Sequence, residues 1–323
     1  MNTSTIKFAN KLELHYYFND SSNYLDAMIK HRCEKELLAF VRFIAEMLDV
    51  KMTVYCEPYK SGGFKEIWGI AGSNPRAISI VLSIVMQTLC RPLFFSRKNN
   101  GIYLDKDIYN EEKVQYEIAK FRKDLKLSPD TGGILTQEFL DNINSIPKIC
   151  KYKSNFFEAL RGYPKVRKIS VRELNERNNS KSGVREVKRE NFDAYILRSD
   201  ELPAMIDNSA TIEIISPVLK DSKYRWKGIY NKGGETIDFY MDDADFKEDM
   251  FKEKVTFVSG MCIDCVLEIE RKLNELGDIV PVCYTVQTVI RTRFDKLVVV
   301  TPQGKRHLAK LKAEKQQLTL DLF

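Results

Sequence analysis

Histidine is scarce in this chain: His15, His31 and His307 are the only three among 323 residues. That scarcity argues against a His-based metal centre and against a Ser-His triad. Fifteen Gly and ten Pro are too few for a linker-dominated or collagen-like protein. No GxxxxGK[ST] phosphate loop is present, and no GxGxxG follows a strand pattern. Long apolar runs are missing too. The most hydrophobic stretch, Ala77 to Cys90, is fourteen residues bracketed by Arg76 and Arg91, against roughly 20 for a membrane span. Residues 1–10 have no apolar h-region and no small-residue cleavage site, so no secretory signal is expected. The seven cysteines are scattered and odd in number, as suits free thiols in a reducing cytoplasm, the expected location.

What is there fits a globular chain, with 44% hydrophobic and 30% charged residues and enough length for a sizeable core. The pattern predicts an α+β fold: an N-terminal α/β-type domain, a basic connecting region, and a small C-terminal β-barrel or β-sandwich domain with a flexible tail. Residues 11–18 read as a strand. Ser21 or Ser22 is the expected N-cap of a helix whose apolar face runs from Leu25 to Leu48. A second strand is expected over 50–55, followed by a turn at Ser61-Gly62-Gly63 and a short segment over 64–70. Asn74-Pro75 should open a helix carrying Ile78, Val81, Leu82, Val85, Met86 and Leu89. A further amphipathic helix is expected over 110–126. The run Ser128-Pro129-Asp130-Thr131-Gly132-Gly133 is the clearest punctuation. These signals set domain boundaries at 1–130, 131–205, 206–304 and 305–323.

Within 131–205, short helices are expected near 136–143 and 154–160, then a strand over 166–171. The polar segment 175–185 reads as a flexible insert. From Thr211 onward, short alternating segments predict a barrel or sandwich. Among them is a strand with Ile263, Cys265, Leu267 and Ile269 on one face.

Positive charge is concentrated. Lys148 to Arg189 holds thirteen Lys or Arg against four Glu, so this stretch is +9 in a chain of +6 overall. Tyr152, Phe156, Phe157 and Tyr163 lie among the cations. Lys151, Lys153, Arg161, Lys165, Arg167, Lys168 and Arg172 are therefore candidate nucleic-acid contacts, since cations neutralise phosphates and aromatics stack on unpaired bases. The competing reading is a solvated surface whose aromatics face the core.

No good active site is legible. Asp238, Asp242, Asp243, Asp245, Glu248 and Asp249 form an acidic cluster, read chiefly as turn and helix-cap carboxylates. Asp26, Glu57, Lys65 and Glu66 are candidates for a carboxylate-plus-lysine nuclease site, with no spacing that compels it. The weak catalytic candidates are thus Glu57, Lys65, Glu66, Asp242 and Asp245. Mg²⁺ is the cofactor only under that nuclease reading; otherwise no cofactor and no metal are expected. Cys262 and Cys265 form a C-x-x-C without a second pair, and on a strand their odd offset sends them to opposite faces. Gly72-Ser73 resembles the start of a nucleotidyltransferase signature, but no paired acids follow.

The sharpest signal is the end of the sequence. After Gly304, Lys305 to Lys315 is dominated by Lys and Arg with one acid, Glu314, as suits a solvated helix or a tether. Gln317-Leu318-Thr319-Leu320-Asp321-Leu322-Phe323 follows. This peptide closely resembles the bacterial β sliding-clamp-binding motif. Gln317 fills the amide position, Leu318, Leu320 and Leu322 the aliphatic ones, and Phe323 the closing aromatic. The resemblance covers seven residues; it implies the β clamp as a partner and says nothing of the fold. An extended peptide with Leu and Phe in apolar pockets gains about 1.5–3 kcal/mol per buried side chain, and the Gln amide fixes register. The competing reading is a last strand completing the β domain. Together these features predict a DNA-binding accessory protein recruited by the clamp in bacterial replication, repair or anti-phage surveillance, with a metal-dependent nuclease on the same tail as the alternative. DNA is the second expected partner, no membrane is expected, and oligomerisation is left open.

Overall fold

The computed structural model describes residues 8–20, 24–56, 64–93, 96–98, 101–103, 111–127, 135–220 and 224–320. The chain divides into two compact units, Met1–Asp200 with Leu273–Asp278, and Glu201–Lys272 with Ile279–Phe323. Helices and strands are both abundant, as an α+β fold requires.

The first unit contains β1 (Asn10–Phe18), α1 (Ala27–Met47), β2 (Thr53–Cys56), β3 (Phe64–Ala71), α2 (Pro75–Leu89), β4 (Ser96–Lys98), β5 (Gly101–Tyr103), α3 (Glu111–Leu127), α4 (Gln137–Asn144), α5 (Pro147–Arg161), β6 (Val166–Leu174) and β7 (Arg185–Lys188). Five of its strands form an antiparallel sheet in the order β2-β3-β1-β6-β7, while β4 and β5 pair separately. Strand alternation gives the sheet two different faces. Leu12, Leu14 and Tyr16 of β1, Trp68 and Ile70 of β3, and Ile169 and Val171 of β6 form one core with α1, α2, α4 and α5. The opposite row carries Glu13, His15 and Tyr17 of β1, Lys65 of β3, and Lys168, Ser170 and Arg172 of β6.

Helix starts follow local chemistry. Asn74 caps α2 by accepting from the Arg76 and Ala77 amides at 3.1 Å each, with Pro75 in the first turn where its missing N–H costs nothing. The cap of α1 is Asp26, which accepts from Met28 N and Ile29 N, rather than Ser21 or Ser22, which lie outside the described residues.

One expectation is corrected here. The punctuation at 128–133 falls outside the described residues, and the segment after it is no connector. Residues 137–188 supply α4, α5, β6 and β7, and β6 lies beside β1 within the sheet. The polar insert carries local hydrogen bonds. Asn175 Oδ1 accepts from the Arg177 and Asn179 amides at 2.9 Å each, and Ser182 Oγ accepts from Glu173 N at 3.0 Å.

The second unit contains β8 (Glu201–Ser216), β9 (Trp226–Tyr230), β10 (Thr236–Met241), α6 (Ala244–Phe251), β11 (Cys262–Leu273), β12 (Ile279–Phe294), β13 (Leu297–Val300) and α7 (Pro302–Leu320). The strand order is β10-β9-β8-β11-β12-β13, and a parallel pairing of β10 with β12 closes the first five into a barrel. Ile212, Phe239, Ile263, Cys265, Leu267 and Val286 are fully buried inside it, and Cys265 is core as its alternation predicts. All seven cysteines of the chain are free thiols.

One carboxylate organises the end of the barrel. Asp243 caps α6 by accepting from Phe246 N at 2.9 Å, and its other oxygen accepts from Val289 N at 2.7 Å and Gln303 Nε2 at 3.1 Å. The hydroxyl of Thr301 accepts from Gly304 N at 2.9 Å, opening α7 beside β12. Beyond that turn Lys305, Arg306, Leu308, Ala309, Lys310, Lys312 and Ala313 are exposed. Among the described residues β13 pairs only with the end of β12, and its Leu297, Val298 and Val299 are about half exposed or more, at 64%, 49% and 50%. Among the described residues no helix is long and apolar enough to cross a membrane.

Candidate nucleic-acid interface

On the barrel, β9 and β10 alternate so that Trp226, Gly228 and Tyr230 face inward with Ile237, Phe239 and Met241. Lys227 therefore stands opposite Asp238 on the outer surface. Tyr240 shares that outer row and lies in register with Thr285 of β12. The Arg225 guanidinium sits 5.0 Å over the Tyr240 ring. A cleft of about 370 Å³ opens here, lined among others by Lys220, Tyr224, Tyr240, Asp242, Lys247 and Phe251. Tyr224 is 71% exposed and Phe251 44%. Large apolar rings on a surface, beside Lys220, Arg225, Lys227 and Lys247, make a platform on which planar groups can stack while cations meet phosphates.

The pattern-based candidates from the basic segment meet a different fate. Their helix, α5, is a core helix whose Phe156 and Phe157 are essentially fully buried, so those aromatics face inward. Lys153 is buried completely. Its ammonium donates to the Arg91 carbonyl and the Asn144 side chain, and burial pulls its pKa down to about 7. The expectation that Lys153 meets a phosphate is therefore corrected: it carries no surface charge. Lys151 pairs with Asp200 at 2.7 Å and Arg161 with Asp193 at 3.1 Å. Lys165 lies 3.9 Å from the Tyr24 ring centroid and donates to the Tyr24 carbonyl. Arg167 is exposed at the bulge that shifts the β1–β6 register.

Lys168 and Arg172 do share a face, the sheet side opposite the helices. Lys168 sits 4.4 Å over Tyr17 and pairs with Glu186 at 2.7 Å; Arg172 holds Glu13 through two bonds of 2.7 and 3.0 Å. His15 stacks on Tyr17 with ring centroids 3.9 Å apart. Burial, reinforced by Lys65, lowers its pKa to about 4, so it is neutral at pH 7. Much of the segment's positive charge is thus committed to partners within its own unit.

Within each unit, the described catalytic candidates do not converge. Lys65 and Glu66 are adjacent on β3 and so point to opposite faces: Lys65 lies in register with His15, Glu66 with Leu14 on the helix side. Asp26 is spent on the α1 cap, and Glu57 lies outside the described residues. Asp245 pairs with Arg306, while Asp242 is exposed on the rim of the barrel cleft. Among the described residues no three His, Cys, Asp or Glu side chains cluster as a metal site.

No family model, curated protein or solved structure matches this chain. The site must therefore be judged on its own chemistry. Sequence reasoning missed the barrel platform because Tyr224, Arg225, Tyr240 and Lys247 are spread over twenty-odd positions and come together through the β9–β10 hairpin and α6. The signal available was Tyr224 and Arg225 just before the alternating segment Trp226–Tyr230, with Tyr240 on the outer row of the segment that pairs with it. As for the C-terminal peptide, Gln317, Leu318 and Leu320 fall in the last turns of α7, so the backbone there is helical. That overturns the alternative of a final β strand for these residues. Leu322 and Phe323 lie outside the described residues.

Proposed function

We propose that this protein is a DNA-binding accessory factor of bacterial replication, repair or anti-phage surveillance. In this reading the barrel holds unpaired DNA, and the peptide Gln317–Phe323 docks on the β sliding clamp. The observation that carries the DNA part is the outer face of β9 and β10, where Tyr224, Tyr240 and Phe251 border one cleft with Lys220 and Lys247. Base–aromatic stacking is worth roughly 1–3 kcal/mol per base and tolerates any sequence. Five-stranded Greek-key barrels are an architecture that binds oligonucleotides along comparable strands; this is an analogy at the level of fold. The clamp part rests on the sequence resemblance, with α7 leading out of the barrel toward the peptide. A nuclease reading gains nothing from the geometry, because Lys65 and Glu66 diverge.

The test is fluorescence anisotropy with a labelled single-stranded oligonucleotide and its duplex, at two salt concentrations. Salt-sensitive binding that prefers the single strand is expected, and the pair Tyr224→Ala and Tyr240→Ala should weaken it at least ten-fold. Equal binding by that double variant would overturn the barrel assignment. In parallel, binding to purified β clamp should be lost on removing Leu322-Phe323 and on Gln317→Ala. No binding by the intact chain would remove the clamp from the reading.

A further inference from the structure

Glu66 occupies an inward position of β3, in the row of Phe64, Trp68 and Ile70 where every other residue is apolar. It is 7% exposed, and neither carboxylate oxygen has a hydrogen-bond partner. The hydroxyl of Tyr16, across on β1, is also buried without a partner. A buried carboxylate with no hydrogen bond is costly while ionised and far less so when protonated.

The cation nearest to Glu66 is divided between two acids. The Lys30 ammonium is 4.0 Å from Glu66 Oε2 but bonded at 2.8 Å to Glu34 Oε2, one turn along α1. Glu34 in turn lines a large open groove of about 1350 Å³ bounded by α1, the edge strand β2 and the segment 71–73. The walls include Leu38, Ala39 and Val54.

We infer that Glu66, Lys30 and Glu34 form a proton-linked relay that passes the charge state of a buried carboxyl to the groove beneath α1. When Glu66 is protonated, Lys30 stays on Glu34. When Glu66 gives its proton to solvent, Lys30 moves about 1 Å to close a charge-assisted bond with it. Glu34 is then released into the groove as an uncompensated carboxylate. The groups facing Glu66 are Lys30, Cys33 and Glu34 from α1 and Tyr16 from β1; Cys56 of β2 acts on Lys30. Burial raises the Glu66 carboxyl to about 7, with Lys30 opposing and Glu34 adding to the rise, so the relay would switch near neutral pH.

The experiment is an NMR titration of the full chain, labelled at Glu carboxyl carbons and at Leu and Ala methyls. The Glu66 carbon should titrate near pH 7, and the Leu38 and Ala39 methyls should shift with the same midpoint. His31 also lines the groove, so the titration is repeated in His31→Gln, where the methyl shift should persist. In Glu66→Gln, a near-isosteric change, it should vanish. A Glu66 midpoint near its ordinary 4.5, a methyl shift that survives Glu66→Gln, or one that disappears in His31→Gln would each overturn the relay. If Glu66→Gln fails to fold, Lys30→Met replaces it: Glu66 must then still titrate while the groove methyls no longer follow.

Discussion

Asp207 is the clearest case of a single residue whose surroundings set its charge. It is 6% exposed, accepts from Tyr230 Oη at 2.6 Å and Lys232 Nζ at 2.8 Å, and from both the amide and hydroxyl of Ser209 at 3.0 Å. Burial alone would raise its pKa; the bonds from Lys232, Tyr230 and Ser209 outweigh it and hold the carboxyl near 2, against an ordinary 3.8. A depressed carboxyl contributes stability above its unfolded value and loses it as pH falls through the folded one. Nearly two units correspond to about 2 kcal/mol. Asp207→Asn should therefore lower unfolding stability by about that amount at pH 7, measured by urea denaturation. The difference should shrink as pH falls below 4 and be gone only well below pH 2, under both values; a difference constant with pH would contradict the charge-based account. Glu66 has the opposite sign, since its raised carboxyl favours the folded state only while protonated.

At the scale of elements, α7 shows how closely a helix can be seated by one glycine. A Cβ built on Gly304 would meet the Ile290 carbonyl oxygen at 2.0 Å, a backbone atom that cannot swing aside. Gly304→Ala gains about 1 kcal/mol of helix propensity, but overpacking costs about 1–3 kcal/mol. The variant should come out less stable, and the α7 amide signals should move more than those of β9. A stabilised variant would mean that α7 is not held against β12. The starts of elements were largely legible in the sequence: Asn74-Pro75 marks α2, and the alternation of Ile263, Cys265, Leu267 and Ile269 marks β11. What joins them was not. The β1–β6 pairing links Leu14 to Val171, more than 150 residues apart, and no local pattern encodes that. For the same reason Lys151 and Lys153 read as surface cations. Their acceptors, Asp200, Asn144 and the Arg91 carbonyl, come from other elements and turn a basic stripe into internal bonding. The candidate site was half visible: the terminal peptide declares itself in seven consecutive residues, whereas the barrel cleft exists only once five strands close.

Across the whole molecule, the two units divide the chemistry. The first holds a helix-backed sheet with a buried, partnerless carboxyl in Glu66, and the second a barrel with exposed aromatics and a helix leading to the clamp-like peptide. If the proposed reading holds, changes at Tyr224 and Tyr240 should leave clamp binding intact, and loss of Leu322-Phe323 should leave oligonucleotide binding intact.

Strand β13 carries a practical consequence for anyone concentrating this protein. Four aliphatic residues at the sheet edge, whose outer side no described strand pairs and among which there is neither Lys nor Pro, are a template for cross-chain strand addition. Stored samples should therefore grow turbid through this hairpin before the barrel itself melts. Val299→Lys should suppress light scattering at high concentration while changing the unfolding free energy by no more than about 0.5 kcal/mol. Unchanged turbidity would place the sticky surface elsewhere; a clear solution would give a form of the protein that keeps on the shelf.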